Sequence, residues 1–280
     1  MQTYKSEFFK DKALPYVEVW HILHATMHYK PHFHYMLSIG AIEEGEVVFF
    51  HDGQASHLST GELIIFNPET VHTCNLTKDT THKYHMICLD ISWCKAFQES
   101  LWDTKLDTFE KINKKILKDK KMHESFIGLS ILLRDRSVFY LEKEAALHEF
   151  MEAFFERDTS DTVSNNTQDI PLLDHLESAK EYIKQNVREN ITVAELAKKA
   201  SLSEYHFMRV FKHYTGMSPH AYLINQKINL AQKLLLSGAP IIDVALELGF
   251  VDQSHLNRHF RPIVTMSPGE FIQAAEVKVY

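Results

Sequence analysis

The spacing of apolar side chains changes along the chain, and each spacing predicts a different kind of element. Between residues 16 and 91, short runs such as HFHYMLSIG, GEVVFF and GELIIFNP alternate apolar with polar positions and are separated by glycine or proline. A period of two is typical of strands, and several strands about ten residues apart indicate a β-sandwich or a small barrel. From HESFIGLSILLRD onward the spacing is that of helices. We therefore predict an α+β protein.

A polar stretch interrupts the helical spacing from Thr159 to Pro171, where the chain reads TSDTVSNNTQDIP. This composition buries too little apolar surface to order itself, so we interpret it as a linker. The 280 residues are enough for two cores. We predict a β-rich domain with flanking helices at residues 1–158, a linker at 159–171 and an all-helical domain at 172–280.

One predicted helix, YLEKEAALHEFMEAFFER, carries an apolar stripe just before this linker. Two interpretations stay open. The stripe packs against its own domain, or it forms a surface between two copies of the chain. Its members are Leu141, Ala145, Phe150, Met151, Phe154 and Phe155.

The helical domain contains an internal repeat. The segment TVAELAKKASLSEYHFMRVFKHYTGMSPHAYL aligns with PIIDVALELGFVDQSHLNRHFRPIVTMSPGEFI, so that Arg209 falls on Arg258 and Phe211 on Phe260. Each copy has the pattern of a short helix, a tight turn and a second helix, which predicts two helix-turn-helix units. Thr192 and Glu195 have the spacing of a capping box at the start of the first unit. We place the two units at about residues 192–214 and 241–263, respectively.

The second helix of each unit has one apolar and one polar face. In the first copy the predicted buried stripe is Phe207, Val210, Phe211 and Tyr214. His259 falls where Val210 packs, so it is either a hydrogen-bonded histidine or a sign that the second helix is rotated. The polar faces carry Tyr205, Met208, Arg209 and Lys212 in the first copy, and Gln253, Ser254, His255, Asn257, Arg258 and Arg261 in the second.

These polar faces have the chemistry that reads DNA. Arginine can donate two hydrogen bonds to guanine, amides can pair with adenine, and tyrosine or methionine can contact a thymine methyl group. Lys212 and Arg261 lie one turn further on and are suited to phosphate. The alternative is a merely solvated helix face, and the recurrence of the arrangement at matched positions favours DNA reading in the major groove.

Composition limits the other possibilities. The net charge of −7 argues against a protein that coats nucleic acid or anionic membrane. The cations of the helical domain must therefore converge on one face. Cys74, Cys88 and Cys94 lack metal-type spacing and are expected to be reduced thiols. There is no apolar run of the length of a membrane span or a signal peptide, which predicts a cytoplasmic protein.

The C-terminal hundred or so residues resemble the DNA-binding domain of the AraC/XylS family of bacterial transcription regulators. The resemblance rests on DVALELGFVDQSHLNRHF followed by MSPGEF, and on SLSEYHFMRVFKHYTGMSPHAYL in the first copy. It implies two helix-turn-helix subdomains joined by a long helix, here about 221–236, with both recognition helices in successive major grooves. Thr265 replaces the family's usual glycine, and Phe271-Ile272 replaces its common Tyr-Arg pair, so we expect some strain in the second turn and one cation fewer.

The N-terminal part, PHFHYMLSIGAIEEGEVVFF followed by STGELIIFNPETVHTCN, is similar to the cupin-like effector-binding barrel of many family members. In an alternating strand His32, His34 and Met36 would share one face, with His72 just past a later strand. We assign these four residues to effector binding. Three histidines could also hold a metal, as in cupin enzymes. The glutamate of that motif has no clear equivalent before Glu43, so we assign no metal.

The sequence thus predicts a DNA-binding transcription regulator controlled by a small molecule, without a cofactor and without enzymatic activity. The expected partners are double-stranded DNA, the effector and a second copy of the chain, with RNA polymerase as a further candidate and no membrane. The alternative is a metal-dependent cupin enzyme with an appended helical domain. A third interpretation keeps the DNA-binding half and makes the barrel a dimerisation module alone.

Overall fold

The computed structural model of the chain describes residues 5–25, 30–51, 54–76, 82–158 and 170–275. The first four ranges contain the strands and three helices, and the last is all helical. The strands are β1 (Lys5–Asp11), β2 (Leu14–Ala25), β3 (Leu37–Glu44), β4 (Val47–His51), β5 (Gln54–Leu58), β6 (Glu62–Phe66), β7 (His72–Leu76), β8 (His82–Leu89) and β9 (Ile116–Lys118).

These strands form two antiparallel sheets. The larger has the order β1-β2-β8-β3-β6-β9 and the smaller the order β5-β4-β7. The α+β class is confirmed, and of the two expected architectures the described strands form open sheets packed face to face rather than a closed barrel. A physical reason is that Phe8 of β1 and Trp20 of β2 pack against Phe271 of the helical region, with ring centroids 5.1 and 6.1 Å from that of Phe271. That contact covers apolar surface that a closed barrel would enclose.

Three helices cover one face of the larger sheet: α1 (Ile91–Leu101), α2 (Lys120–Arg134) and α3 (Tyr140–Asp158). Val19, Ile39 and Ile87 of the sheet share a buried core with Phe126 and Leu147 of the helices. The opposite face of the sheet meets the smaller sheet in a second cluster. It contains Ile42, Val47, Phe49, Leu58, Ile64 and Phe66.

The apolar stripe of α3 is partly buried within its own domain and partly exposed. Phe150, Met151, Phe154 and Phe155 are buried in the core beneath the larger sheet. Leu141 is 66% exposed, and Ala145 is exposed as well. Most of the stripe therefore packs against its own domain, as the first interpretation expected.

The remaining helices follow the internal repeat. The expected linker at 159–171 lies outside the described residues up to 169, and the next helix already begins at Ile170. The helices are α4 (Ile170–Gln185), α5 (Val193–Lys199), α6 (Glu204–Thr215), α7 (Pro219–Leu236), α8 (Ile241–Glu247), α9 (Gln253–Val264) and α10 (Pro268–Ala275). Both halves of the capping box between Thr192 and Glu195 are present, as predicted.

The β-rich domain inserts one aromatic ring into the core of each helix-turn-helix unit. Phe33 is fully buried and stacks on Tyr222 of α7 at 4.8 Å between ring centroids, within the cluster of the first unit. Phe8 is 5% exposed and belongs to the cluster of the second unit. The hydrophobic core of each helix-turn-helix unit therefore includes a side chain of the β-rich domain. Among the described helices, none combines the length and apolar character needed to cross a membrane.

Candidate DNA-reading surface and effector cavity

The recognition helix of the first unit, α6, is bounded by strong local signals. The Ser203 hydroxyl accepts a hydrogen bond from the His206 backbone N–H, and Gly216 ends the helix in the left-handed conformation at φ 73°. The expected polar face is open to solvent: Tyr205 is 80% exposed and Met208 47% exposed. Arg209 and Lys212 are exposed beside them.

Phe207, Val210 and Phe211 form the buried stripe of α6 as predicted. Tyr214 does not belong to it, because 39% of this residue is exposed. Tyr214 lies in the last turn of α6, just before Gly216, and its ring packs edge-on against His213 at 5.2 Å between centroids. The expected helical stripe therefore ends one turn earlier than the sequence spacing suggested.

The recognition helix of the second unit, α9, presents a mixed face. Gln253, Ser254, Arg258 and Arg261 are exposed. His255 and Asn257 are only partly exposed, and the side-chain oxygen of Asn257 is buried without a hydrogen-bond partner among the described atoms. The six residues expected on this face therefore divide into four that are exposed and two that are partly buried.

His255 and His259 form a hydrogen-bonded pair along α9. The Val251 backbone N–H donates to Nδ1 of His255 at 3.2 Å, and the Nε2 atoms of the two histidines lie 3.3 Å apart. Because Nδ1 of His255 accepts, its proton sits on Nε2 and points at His259. Burial and the neighbouring His255 lower the pKa of His259 below 6.5. His259 is thus a hydrogen-bonded histidine, the first of the two alternatives raised by the sequence.

Thr265 ends α9 in the same left-handed conformation that Gly216 gives α6, at φ 68°. A β-branched residue at positive φ is strained, as the departure from the family pattern suggested. The Thr265 hydroxyl donates to the Val264 carbonyl oxygen at 2.6 Å, and the residue is 5% exposed. The repeat therefore preserves the shape of the turn while changing the residue that makes it.

A cavity of about 660 Å³ lies between the β-rich domain and the helical domain. All four residues expected to bind an effector line it: His32, His34, Met36 and His72. They do not share a strand face, which corrects the sequence prediction, because β3 begins only at Leu37. The backbones of His32 and His72 instead pair through two hydrogen bonds of 3.0 and 2.8 Å. That pairing brings the histidines together without a continuous strand.

The three histidines converge at one wall of the cavity. Their ligand-capable atoms lie within 4.8 Å of one another. Nδ1 of His32 contacts the Lys30 carbonyl oxygen and Nδ1 of His72 contacts the Thr70 carbonyl oxygen, each at 2.8 Å, so each Nδ1 carries the proton and donates. Burial lowers the pKa of His32 to about 4 and that of His34 to about 3. The rings of His32 and His34 are therefore neutral near pH 7.

The other side of the cavity comes from the helical domain. Lys184 of α4 and Lys233 of α7 lie over the ring of Tyr35, at 5.3 and 5.4 Å from its centroid. The end of α9 supplies the last wall residues, which are Ile263, Val264 and Thr265. The sequence placed an effector within the barrel alone and missed this half of the lining. A cavity occupant would touch the recognition helix of the second unit directly.

One signal of this interface was present in the sequence. The helix α7 carries three buried amide residues, Asn225, Gln226 and Asn229. Two of them form hydrogen bonds with the backbone of Phe33, the residue between His32 and His34. Asn225 accepts from the Phe33 N–H at 3.2 Å and donates to the Phe33 carbonyl at 3.0 Å, while Asn229 donates to the same oxygen at 3.2 Å. The Tyr35 hydroxyl donates to Gln226. Polar side chains on the inner face of a long helix can therefore mark a domain interface.

Family models match both halves of the chain. A model described as "AraC-like ligand binding domain" matches residues 15–151, and one described as "Helix-turn-helix domain" matches residues 196–274. The chain is 29% identical over 243 residues to the uncharacterized HTH-type transcriptional regulator YbfI of Bacillus subtilis, which covers 86% of each chain. It is also 29% identical over 97 residues to the multiple antibiotic resistance protein MarA of Escherichia coli, covering 34% of this chain and 76% of MarA.

Solved structures share the whole fold. ToxT of Vibrio cholerae, solved with an unsaturated fatty acid bound, aligns over 100% of both chains with a TM-score of 0.56 at 14% identity. The fold and the two sites thus define a DNA-binding regulator with an N-terminal ligand-binding domain and a double helix-turn-helix domain. The chain belongs to the AraC/XylS family of transcriptional regulators. This interpretation holds over the alternative of a metal-dependent cupin enzyme.

Proposed function

We propose that the chain changes its DNA binding when an acid with an apolar body occupies the interdomain cavity. The observation that carries the proposal is the lining: residues of both domains, including the last turn of α9, surround one space. A ligand that binds one arrangement of the domains more tightly than another shifts the balance between them. Occupancy and the position of the second recognition helix are then linked.

The lining favours an acid. Most of its surface belongs to apolar atoms, many of them on side chains such as Trp20, Met86 and Leu236. Lys10 is paired with Glu18 at 2.7 Å, and Lys184 lies 3.9 Å from Glu69. Lys233, by contrast, forms no ion pair with any residue that the structure describes. We assign it to the carboxylate of the effector.

Two solved neighbours support this choice of chemistry. ToxT has been solved with an unsaturated fatty acid and with (E)-4-(8-methylnaphthalen-1-yl)but-3-enoic acid. Both ligands join one carboxylate to an apolar body, the chemistry that we propose for the occupant of this cavity. His32, His34, Met36 and His72 would line the rest of the effector.

For DNA, we assign base contacts to the exposed face of each recognition helix and phosphate contacts to Lys212 and Arg261. Arg209 and Arg258 stand at matched positions and are exposed, which supports a guanine-reading role for each. The partly buried His255 and Asn257 remain members of this surface and would need the domain rearrangement to become fully accessible. We further propose that the chain acts in the cytoplasm as a homodimer, without enzymatic activity, and contacts RNA polymerase when it activates.

Trp20 lines the cavity, so its fluorescence can report occupancy. We would titrate the full chain with palmitoleic acid, and compare Lys233→Met with Lys105→Met, a matched loss of a lysine whose side chain is 94% exposed. The proposal expects saturable binding that weakens at least about tenfold in Lys233→Met, as for a lost charge-assisted hydrogen bond, and not in Lys105→Met. Equal affinity in all three proteins would refute the assignment of Lys233.

A further inference from the structure

A second cluster of metal-binding side chains lies on the opposite face of the larger sheet from the cavity. His21 of β2 and His85 of β8 stand directly opposite each other in the strand register. Their sequence neighbours Trp20, Ile22 and Met86 line the cavity, so alternation directs the two histidines to the other face. Glu43, near the end of β3, completes the cluster. This is the glutamate that the sequence could not join to the cavity histidines.

We propose that His21, His85 and Glu43 bind one divalent transition-metal ion, with Zn²⁺ the best match. Oε2 of Glu43 lies 3.1 Å from Nε2 of His21 and 3.0 Å from Nε2 of His85, and all the ligand atoms lie within 4.8 Å. In a tetrahedral zinc site with bonds of about 2.0–2.1 Å, neighbouring ligand atoms are about 3.3 Å apart. Small side-chain shifts therefore convert this hydrogen-bonded triangle into a coordinating one.

The groups behind the two histidines fit the same role. Nδ1 of His85 lies 2.8 Å from the Ser130 hydroxyl, and Nδ1 of His21 lies 3.5 Å from Oε2 of Glu7. Arg134 holds Glu7 at 3.1 Å. Metal-bound histidines usually donate their other ring N–H to a carboxylate, carbonyl or similar acceptor. On metal binding the His85 proton moves from Nε2 to Nδ1, and the Ser130 hydroxyl turns from donor to acceptor.

Charge and access distinguish this cluster from the cavity histidines. His32 and His34 of the cavity set are neutral, and the set has no carboxylate among its three members, so its ligands would offer a divalent ion no negative charge. Glu43 contributes a negative charge, and its side chain is 40% exposed, which leaves room for a water as fourth ligand. Two imidazoles with one carboxylate form a ligand set that suits Zn²⁺, Co²⁺ or Ni²⁺ over Mg²⁺ or Ca²⁺.

The test is titration of the untagged full chain, stripped with chelator, with ZnCl₂ by calorimetry and with CoCl₂ by visible absorption. We expect one equivalent to bind and Co²⁺ to give the spectrum of a four-coordinate site. Glu43→Gln keeps the shape and should weaken binding at least about 100-fold, whereas Ser130→Ala, behind His85, should weaken it about tenfold. His72→Gln, in the cavity set, should leave it unchanged.

Circular dichroism of each variant checks that it is folded. If Glu43→Gln does not fold, the contrast between Ser130→Ala and His72→Gln decides the question. Absence of stoichiometric binding to the wild-type chain would overturn the proposal. So would binding that His72→Gln abolishes while Glu43→Gln and Ser130→Ala leave it intact.

Discussion

The two helix-turn-helix units share one backbone plan but differ in how the rest of the chain holds them. In each, a side-chain oxygen caps the recognition helix, from Ser203 in one and Asp252 in the other, and a left-handed residue ends it. The polar face of α6 is open along its length, whereas α9 is partly covered and its last turn lines the cavity. The two recognition helices are therefore similar in shape, but only the second lines the described cavity.

The attachments of the two units also differ in their share of hydrogen bonds. The first unit is held by the ring of Phe33 and by three hydrogen bonds: the Phe33 N–H donates to Asn225, and Asn225 and Asn229 of α7 donate to the Phe33 carbonyl oxygen. The second is held by the stacking of Phe8 on Phe271, beside the cavity, and by one long hydrogen bond from the Lys30 N–H to the Pro262 carbonyl oxygen of α9, at 3.5 Å. Directional hydrogen bonds fix a position, and ring stacking tolerates sliding. We therefore expect the contact between Phe8 and Phe271 to rearrange before the contacts of Phe33 when a ligand enters the cavity.

Truncation of the two aromatic anchors should give the largest effect. Phe33→Ala and Phe8→Ala each empty a buried ring site, which lowers the free energy of unfolding by about 3–5 kcal/mol. Phe33→Ala should lie at the upper end because it also loosens backbone hydrogen bonds. Urea unfolding of both variants measures the difference, with Phe139→Ala, 80% exposed, as the control that should change stability by less than about 0.5 kcal/mol. A larger loss from Phe8→Ala would reverse our ranking of the two attachments.

Removal of the matched arginines comes next. Arg209→Ala or Arg258→Ala should each weaken binding to a selected DNA site by about 1–3 kcal/mol and relax base preference at one position. Lys212→Ala should weaken binding to all sequences alike and reduce its salt dependence, since it is assigned to phosphate. Fluorescence anisotropy on duplexes selected from a random library makes the measurement. An unchanged affinity in Arg258→Ala would mean that α9 does not enter the groove as proposed.

Exchange of the left-handed residues tests whether the two turns are equivalent. Thr265→Gly should raise the free energy of unfolding by up to about 1 kcal/mol, because glycine adopts positive φ without strain. Gly216→Ala should lower it by about 1 kcal/mol for the opposite reason. A Cβ at Gly216 would meet Val71 at an ordinary 3.4 Å, so the backbone conformation dominates. Thermal and urea unfolding of the two variants measure these changes. Destabilisation by Thr265→Gly would show that the hydrogen bond and packing of the threonine side chain outweigh the backbone strain.

The smallest effect concerns His259, which stands where the first unit has Val210. Burial lowers its folded-state pKa below 6.5, so the unfolded chain binds the proton more readily. Stability is therefore retained above pH 6.5 and falls as the pH drops toward the folded-state pKa. Unfolding at pH 7 and pH 5 should show a shallower loss in His259→Val than in the wild type. An identical loss in both proteins would assign the acid sensitivity elsewhere, for example to the buried cavity histidines.

Much of this arrangement could be predicted, because it depends on local patterns. The repeat at Arg209 and Arg258, the capping box at Thr192 and the buried stripe of α6 all follow from spacing along one helix. The open sheets and the two-sided cavity could not be predicted in this way. They depend on which distant segments meet, such as Phe8 with Phe271. Glu43 is the clearest case, since alternation places it with histidines of two other strands rather than with those of its own segment.

Our central claim is that occupancy of the cavity changes DNA binding by the recognition helices. The most direct test is the affinity of the full chain for its selected duplex, measured with and without saturating palmitoleic acid. Trp20 fluorescence establishes saturation, and the salt concentration is held fixed. Our account predicts at least a fivefold change in the dissociation constant, within the usual range of allosteric coupling of about 1–3 kcal/mol, and its loss in Lys233→Met. Saturation of the cavity with no change in DNA affinity would contradict it.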